Sequence, residues 1–179
     1  DMNNDGKLDI VDFSMLNDKV NGGNNDYVQY NGHYYRLFND GMTWEQAKQK
    51  CASQTYRGKR GHLVTITSFD EQQIIEKLLR EKGTKNSYWI GGYRDPRGYE
   101  YRRGQRFKWI TGEVSDFNNF SAGQPDNAYG REDRMMVYRN SNPLSPARLG
   151  AWNDLARDGT CNNQPFFGVN NLGYICEYE

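Results

Sequence analysis

The sequence contains few cysteines and no excess of charge of either sign. Three cysteines in 179 residues are too few for a disulfide scaffold, and their wide spacing does not fit a zinc site. The 23 basic and 23 acidic side chains cancel, so no long-range field attracts nucleic acid or an anionic membrane. Recognition by this chain must therefore be local, and we predict no nucleic-acid partner.

Long apolar runs are also missing. No stretch approaches the roughly 20 apolar residues that cross a bilayer, and the chain opens at Asp1 without a basic-then-apolar leader. We therefore expect no membrane span, and we expect any signal peptide to have been removed.

The motifs of common catalytic sites are absent as well. The chain has no Gly-x-Ser-x-Gly elbow, no phosphate loop and no cysteine-histidine arrangement. Its only histidines, His33 and His62, each follow a glycine at a predicted strand start, which favours a structural role. Because nothing organises the acidic residues as a catalytic pair, we predict that the chain is not an enzyme.

Aromatic residues, in contrast, are plentiful. They make up 14% of the sequence although its mean hydropathy is −1.00, so large rings must supply much of the buried area. The length suits one domain with an appendage. We place that domain at residues 27–179, after a separate segment at 1–20 and a Gly/Asn-rich linker at 21–26.

The appendage has the spacing of a calcium-binding loop. Side-chain oxygens at loop positions 1, 3, 5, 9 and 12 come from Asp1, Asn3, Asp5, Asp9 and Asp12, and Lys7 offers its backbone carbonyl. Gly6 permits the sharp turn, and Phe13, Leu16 and Val20 form one apolar face of a following helix.

A calcium loop followed by a helix, without a helix before it, resembles one repeat of a dockerin, an EF-hand-like module that normally has two. The resemblance implies a bound Ca²⁺ and, for a complete dockerin, a cohesin-type scaffold partner. It also implies a bacterial extracellular assembly similar to a cellulosome. The alternative for this segment is an acidic, solvated tail.

In the body of the chain, the N-terminal half carries the helical patterns. Thr43 with Gln46, and Ser68 with Glu71, have the spacing of capping boxes and predict two helix starts. Buried faces are expected at Trp44, Ala47 and Cys51 in the first helix, and at Ile74, Ile75, Leu78 and Leu79 in the second.

Strand patterns surround and follow these helices. We predict strands within Tyr27–Phe38, Gly61–Ile66, Tyr88–Gly91, Phe107–Ile110 and Met135–Tyr138. Two helices followed by many short strands indicate an α+β domain.

Three motifs then follow in order, namely Trp89-Ile90-Gly91-Gly92, Gln124-Pro125-Asp126 and Trp152-Asn153-Asp154. With Cys51 and Cys176, they resemble the C-type lectin domain from about Tyr30 to Tyr178. The resemblance implies two helices with small antiparallel sheets and long loops. It also implies a Cys51–Cys176 bridge and a free Cys161, because Arg134 occupies the position where the family's inner cysteine pair would have its second member.

The same resemblance implies a calcium ion that binds sugar hydroxyls directly. Its ligands would be Gln124, Asp126, Glu132, Asn153 and Asp154, with the Gln124–Pro125 bond in the cis form. The Gln-Pro-Asp order is similar to that of galactose-binding members. Those members usually have a stacking Trp two residues past the motif's acid; this chain has Ala128 there, and the adjacent Tyr129 could substitute.

Two questions stay open at the level of sequence. Asn127, Asp133 and Asp95 approximate an auxiliary calcium site, with a solvated acidic loop as the alternative. A basic run could contact an acidic polysaccharide or nucleic acid, or could form a solvated hairpin; it comprises Arg94, Arg97, Arg102, Arg103, Arg106 and Lys108.

We therefore expect a secreted, calcium-dependent lectin of an extracellular or cell-surface assembly, with a glycan or polysaccharide partner and a preference for galactose-like terminal sugars. The alternative function is a protein-binding or adhesion module of the same fold with structural calcium.

Overall fold

The computed structural model describes residues 26–95, 107–143 and 146–179. Within these ranges the chain forms two α-helices, α1 (Trp44–Ala52) and α2 (Phe69–Lys82). The strands are β1 (Val28–Tyr30), β2 (His33–Phe38), β3 (Thr55–Tyr56), β4 (Lys59–Leu63), β5 (Ser87–Arg94), β6 (Phe107–Trp109), β7 (Glu132–Tyr138), β8 (Trp152–Ala156) and β9 (Leu172–Tyr178). The predicted calcium loop and helix at residues 1–20 lie outside the described residues.

Helix α1 begins as its sequence predicts. The Thr43 hydroxyl accepts a hydrogen bond from the backbone N–H of Gln46, and the Gln46 side chain accepts one from the Thr43 N–H. This is a complete capping box. Trp44, Ala47 and Cys51 are buried along one face, so that prediction is also confirmed.

Helix α2 begins with only half of the predicted capping box. Ser68 accepts a hydrogen bond from the Glu71 N–H. Glu71 does not return the bond to the Ser68 backbone; its Oε2 accepts from the backbone N–H and the hydroxyl of Thr67, both at 2.8 Å. The full box was therefore a wrong prediction, because Thr67 offers two donors to the same carboxylate.

The strands form one connected network in the described part of the chain, in the order β1-β2-β9-β5-β7-β8. Strand β4 also pairs with β9, β3 pairs with β4, and β6 pairs with β5. The β5–β9 pair is parallel and the other strand pairs are antiparallel. The α+β class with two helices and antiparallel strand pairs is confirmed, and the strands are joined through β9.

The strand predicted over Gly61–Ile66 ends at Leu63. Beyond it, the backbone of Val64 donates to Ile175 O and accepts from Gly91 N, so this buried segment connects two strands without joining either ladder. Gly91 allows the approach, since a Cβ there would lie 2.6 Å from Leu63 O. Gly91 of the first motif therefore permits close backbone packing, whereas Gly92 leaves room for the Met135 side chain.

The predicted disulfide bridge between Cys51 and Cys176 is present, and it ties α1 to β9. Cys161 is a free thiol, as expected. In the described ranges, no helix combines the length and the apolar character needed to cross a bilayer.

Candidate metal centre

The loop that leads into β7 and the strand β8 bring three carboxylates together. Asp126, Glu132 and Asp154 each place an oxygen within 4.8 Å of the others. Strand β8 pairs with β7, which has a register irregularity between Glu132 and Arg134. Bulges of this kind re-aim side chains at the end of a strand. Glu132 (4% exposed) and Asp154 (0%) are buried, whereas Asp126 faces solvent.

Asp154 organises the surrounding backbone. Its Oδ1 accepts a hydrogen bond from the Asp126 N–H (3.1 Å), and its Oδ2 accepts from the Asn127 N–H (2.9 Å). The same Oδ2 pairs with Arg94 Nη2 at 2.9 Å. One buried carboxylate thus holds the Gln-Pro-Asp loop against strands β5 and β8. The Gln124–Pro125 bond in that loop is cis, as predicted.

The loop from Asp126 to Glu132 closes on itself. The Ala128 N–H donates to Asp126 Oδ1 and to Glu132 Oε2, both at 3.1 Å, and the Glu132 N–H donates to Asn127 Oδ1 at 3.1 Å. Asn127 and Tyr129 both have left-handed backbone conformations, with φ of 49° and 56°. Such residues need support from their surroundings and concentrate at ligand sites.

The remaining two predicted ligands are Gln124 and Asn153. Gln124 Oε1 accepts from the Asp126 N–H at 3.1 Å. Asn153 is 4% exposed and donates its Nδ2 to the Asp154 carbonyl at 2.7 Å. Its Oδ1 is buried and has no hydrogen-bond partner among the residues that the structure describes. Because buried polar atoms are normally paired, an amide oxygen in this state calls for a further partner, either a hydrogen-bond donor or a cation.

The electrostatics of the centre favour a bound cation. Burial, and then the neighbouring Asp154, raise the pKa of Glu132 to about 8. Burial also raises the pKa of Asp154, against the lowering effect of the Asn127 and Asp126 N–H groups and of Arg94. Carboxylate and amide oxygens are the donors that Ca²⁺ prefers, so the residue types at this centre fit the ion.

Two further residues touch the centre, and neither was among the predicted ligands. Arg94 reaches both Asp154 and the Glu132 carbonyl (Nε to O, 3.3 Å), while the sequence places it only in a basic run. Cys161 lies beside Glu132; burial first, and then that carboxylate, raise the pKa of its thiol to about 12. The sequence feature that indicates its place near the centre is its position shortly after Trp-Asn-Asp.

Tyr129 stands at the rim of the centre. Its side chain is 71% exposed, and its hydroxyl accepts a hydrogen bond from Asn162 Nδ2 at 2.8 Å. The ring is therefore anchored at its far end and open to solvent, which is a geometry suited to stacking on a ligand.

The residues suggested for an auxiliary calcium are engaged elsewhere. Asp95 pairs with Lys108 at 2.6 Å, Asp133 pairs with Arg134 at 3.1 Å and with Arg157, and Asn127 Oδ1 accepts from Glu132. In the described ranges, neither Asp95 nor Asp133 belongs to a group of potential metal ligands. The auxiliary site thus remains a prediction from sequence.

Both histidines lie away from the centre, beside the C-terminal end of β9. His33 Nδ1 bonds Glu177 at 2.6 Å, which raises the pKa of the imidazole. His62 bonds the Leu63 carbonyl and Glu179. Their partners are consistent with the structural role that we predicted.

Comparison with known proteins agrees with the fold. The family model for the lectin C-type domain matches residues 40–167. The mouse protein C-type lectin domain family 4 member G is 26% identical over 151 residues, which are 84% of this chain and 41% of that protein. The chain therefore spans about two fifths of the length of this relative.

Two solved structures are similar along most of this chain. The C-type lectin CEL-I from Cucumaria echinata is 23% identical, with a TM-score of 0.65 over 88% of this chain and 97% of that chain. The mouse scavenger receptor C-type lectin carbohydrate-recognition domain is 27% identical, with a TM-score of 0.60 over 88% and 96%. These animal relatives give no support to the expected bacterial assembly, which depends on residues 1–20.

Proposed function

Because the chain belongs to the lectin C-type domain family, a family of carbohydrate-binding domains and not of enzymes, we propose that it binds carbohydrate through a calcium ion. The residues that would hold the ion are Gln124, Asp126, Glu132, Asn153 and Asp154. The observation that carries the proposal is the convergence of three carboxylates. The residue before Asp154 is Asn153, whose buried Oδ1 has no hydrogen-bond partner in the described part of the chain.

The five proposed ligands differ in burial, and this difference assigns them different roles. Glu132, Asn153 and Asp154 are buried and would bind the ion on its protein side. Gln124 and Asp126 lie nearer the surface and can also meet the ligand, the amide as a donor and the carboxylate as a charge-assisted acceptor. When bound, calcium coordinates sugar hydroxyl oxygens at its open positions.

We further propose a galactose-type preference. It is supported by the Gln-Pro-Asp order. The amide and the acid flank Pro125, and their order determines which sugar hydroxyls receive a hydrogen bond and which donate one. The exposed ring of Tyr129 would take the place of the family's stacking Trp by packing on the apolar face of the sugar.

The cellular context stays a proposal as well. A disulfide bridge suits an oxidising, extracellular compartment. A cohesin-type scaffold would be a partner only if residues 1–20 belong to a complete dockerin in a longer protein.

The direct test compares galactose binding with calcium and with EDTA. Asp154→Asn should remove a buried ligand and abolish binding, and EDTA should do the same for the unchanged protein. Asp116→Asn makes the same change at an exposed position outside the centre and should leave affinity unchanged. Undiminished binding in EDTA would contradict the proposal. Calcium binding without any glycan binding on an array would favour the protein-binding alternative.

A double substitution tests the sugar preference. Gln124→Glu with Asp126→Asn exchanges the acid and the amide around Pro125, and it should shift inhibition by free monosaccharides from galactose toward mannose. An unchanged ranking would show that loop shape or Tyr129 selects the sugar.

A further inference from the structure

A second concave site lies on the other side of Arg94 from the candidate metal centre. It is a cavity of about 470 Å³ between α1, β5, β7 and the residues after β8. Cavities of this size are typical of small-ligand sites. Its charged lining residues are Glu45, Lys48, Arg94, Asp133, Arg134 and Arg157.

Positive charge is in excess in this cavity. Four cationic side chains face two carboxylates, which leaves two positive charges. Arg94 is also paired with Asp154 of the metal centre. If the charge of Arg94 is counted as neutralised by Asp154, the cavity still has one net positive charge. The two carboxylates are shared: Arg134 Nη2 pairs with Glu45 at 2.9 Å, and Asp133 pairs with both Arg134 and Arg157.

Two of the four cationic groups pack on the ring of Trp44. The guanidinium carbon of Arg134 lies 4.6 Å from the centre of the Trp44 ring, and Lys48 Nζ lies 5.6 Å from it. Cation–π contacts of this kind orient the charges before a ligand arrives. The Lys48 side chain is exposed, so its ammonium group is accessible from solvent.

The cavity offers charged groups to a ligand. Arg134 Nε and Asp133 Oδ1 lack hydrogen-bond partners within the ranges that the structure describes, but both atoms are enclosed by protein. The groups left for a ligand are therefore the cationic ones. The surplus guanidinium and ammonium groups, in turn, match an oxyanion.

Two residues connect the cavity to the metal centre. Arg94 lines the cavity and bonds Asp154, and Asp133 lines it directly after Glu132 in β7. We propose that the cavity is a second saccharide subsite, which binds an acidic sugar unit bearing a sulfate or a carboxylate. The saccharide character of the ligand rests on the proposed function; the cavity lining includes none of the five residues proposed to hold the sugar-binding calcium.

The test uses three oligosaccharides of similar length: a sulfated galactan fragment, its chemically desulfated counterpart and an oligogalacturonide. Affinities are measured by calorimetry on the full chain, in calcium and in EDTA, at constant ionic strength. Because a charge-assisted contact contributes about 1.5–3 kcal/mol, an acidic form should bind about tenfold or more tightly than the neutral one. The sulfated and carboxylated arms show which oxyanion the cavity prefers.

The variants remove cavity charge without touching the metal centre. Lys48→Met with Arg157→Met should reduce the preference for the acidic form to near unity while leaving affinity for the neutral sugar unchanged. Lys50→Met is the matched control, since it removes an exposed charge from the same helix outside the cavity and should keep the preference.

The outcomes separate this proposal from the calcium-dependent function. An acidic preference that persists in EDTA supports the subsite even if neutral sugars never bind. Calcium-dependent binding of neutral sugar with no acidic preference overturns the subsite and leaves the proposed function intact. Equal loss of preference in the double variant and in Lys50→Met would overturn it too, because general surface charge would explain the result.

Discussion

At the scale of single residues, Glu132 carries an electrostatic cost that a cation would relieve. Burial and Asp154 raise its pKa from 4.5 to about 8. In the absence of metal, the folded protein therefore holds a proton that the unfolded chain releases above about pH 4.5. Metal-free stability should fall as pH rises from about 4.5 to 8, because over this range the unfolded chain loses the Glu132 proton while the folded protein keeps it.

Calcium affinity should have the opposite dependence on pH. Binding must displace the proton from Glu132, so the association constant should fall by up to about tenfold for each pH unit below 8, until the pKa of the metal-bound form is reached. Calorimetry at pH 6, 7 and 8 measures this slope and the proton released. Glu132→Gln should bind more weakly and with a flatter profile. A flat profile in the unchanged protein would show that Glu132 is already ionised before calcium binds.

The residues of the metal centre differ in how well sequence predicts them. Asp126, Glu132 and Asp154 place carboxylate oxygens within 4.8 Å of one another, and each lies within or near a motif; their role as calcium ligands stays a proposal. The ion pair of Arg94 with Asp154 joins residues 60 apart. Sequence could not predict it, since β5 and β8 are brought together through β7 and no local pattern encodes that pairing.

At the scale of secondary-structure elements, the Cys51–Cys176 bridge joins α1 to β9 across 125 residues of sequence. Strand β9 pairs with β2, β4 and β5, so the bridge fixes the helix to the strand that joins the sheet network. Both cysteines are fully buried.

Replacing both cysteines with alanine should lower the free energy of unfolding by about 5 kcal/mol in the chain-entropy account. The bridge closes a long loop in the unfolded chain and so reduces its conformational entropy, which the variant regains. Urea denaturation measures the difference. Cys161→Ala is the control, since it removes a thiol that forms no bridge. A loss in the double variant no larger than in this control would mean that packing alone fixes α1 against β9.

Element predictions succeed where one local pattern acts alone and fail where another partner competes for the same groups. The capping box at Thr43 and the buried faces of both helices follow from spacing alone. The second box is incomplete because Thr67 captures the Glu71 carboxylate, and the strand from Gly61 ends early because Val64 bonds two different strands. The first competitor is itself local, since Thr67 lies four residues before Glu71, whereas the bonds of Val64 to Ile175 and Gly91 are tertiary contacts.

At the scale of the whole molecule, the fold positions the metal centre and the cationic cavity on either side of Arg94. The α+β class and the domain type could be predicted from three ordered motifs. The joining of the strands through β9 and the cavity beside α1 could not, because both arise from elements far apart in sequence. The calcium loop predicted at residues 1–20 remains a separate prediction.

The central claim is that calcium is held by Gln124, Asp126, Glu132, Asn153 and Asp154. Calcium titration calorimetry of the full chain tests it most directly. Three proteins are compared: the unchanged chain, Glu132→Gln with Asp154→Asn, and Asp5→Ala with Asp9→Ala in the N-terminal loop. We expect each double variant to bind one calcium fewer than the unchanged chain, and only the first to lose sugar binding. An unchanged calcium stoichiometry in the Glu132/Asp154 variant would contradict the account.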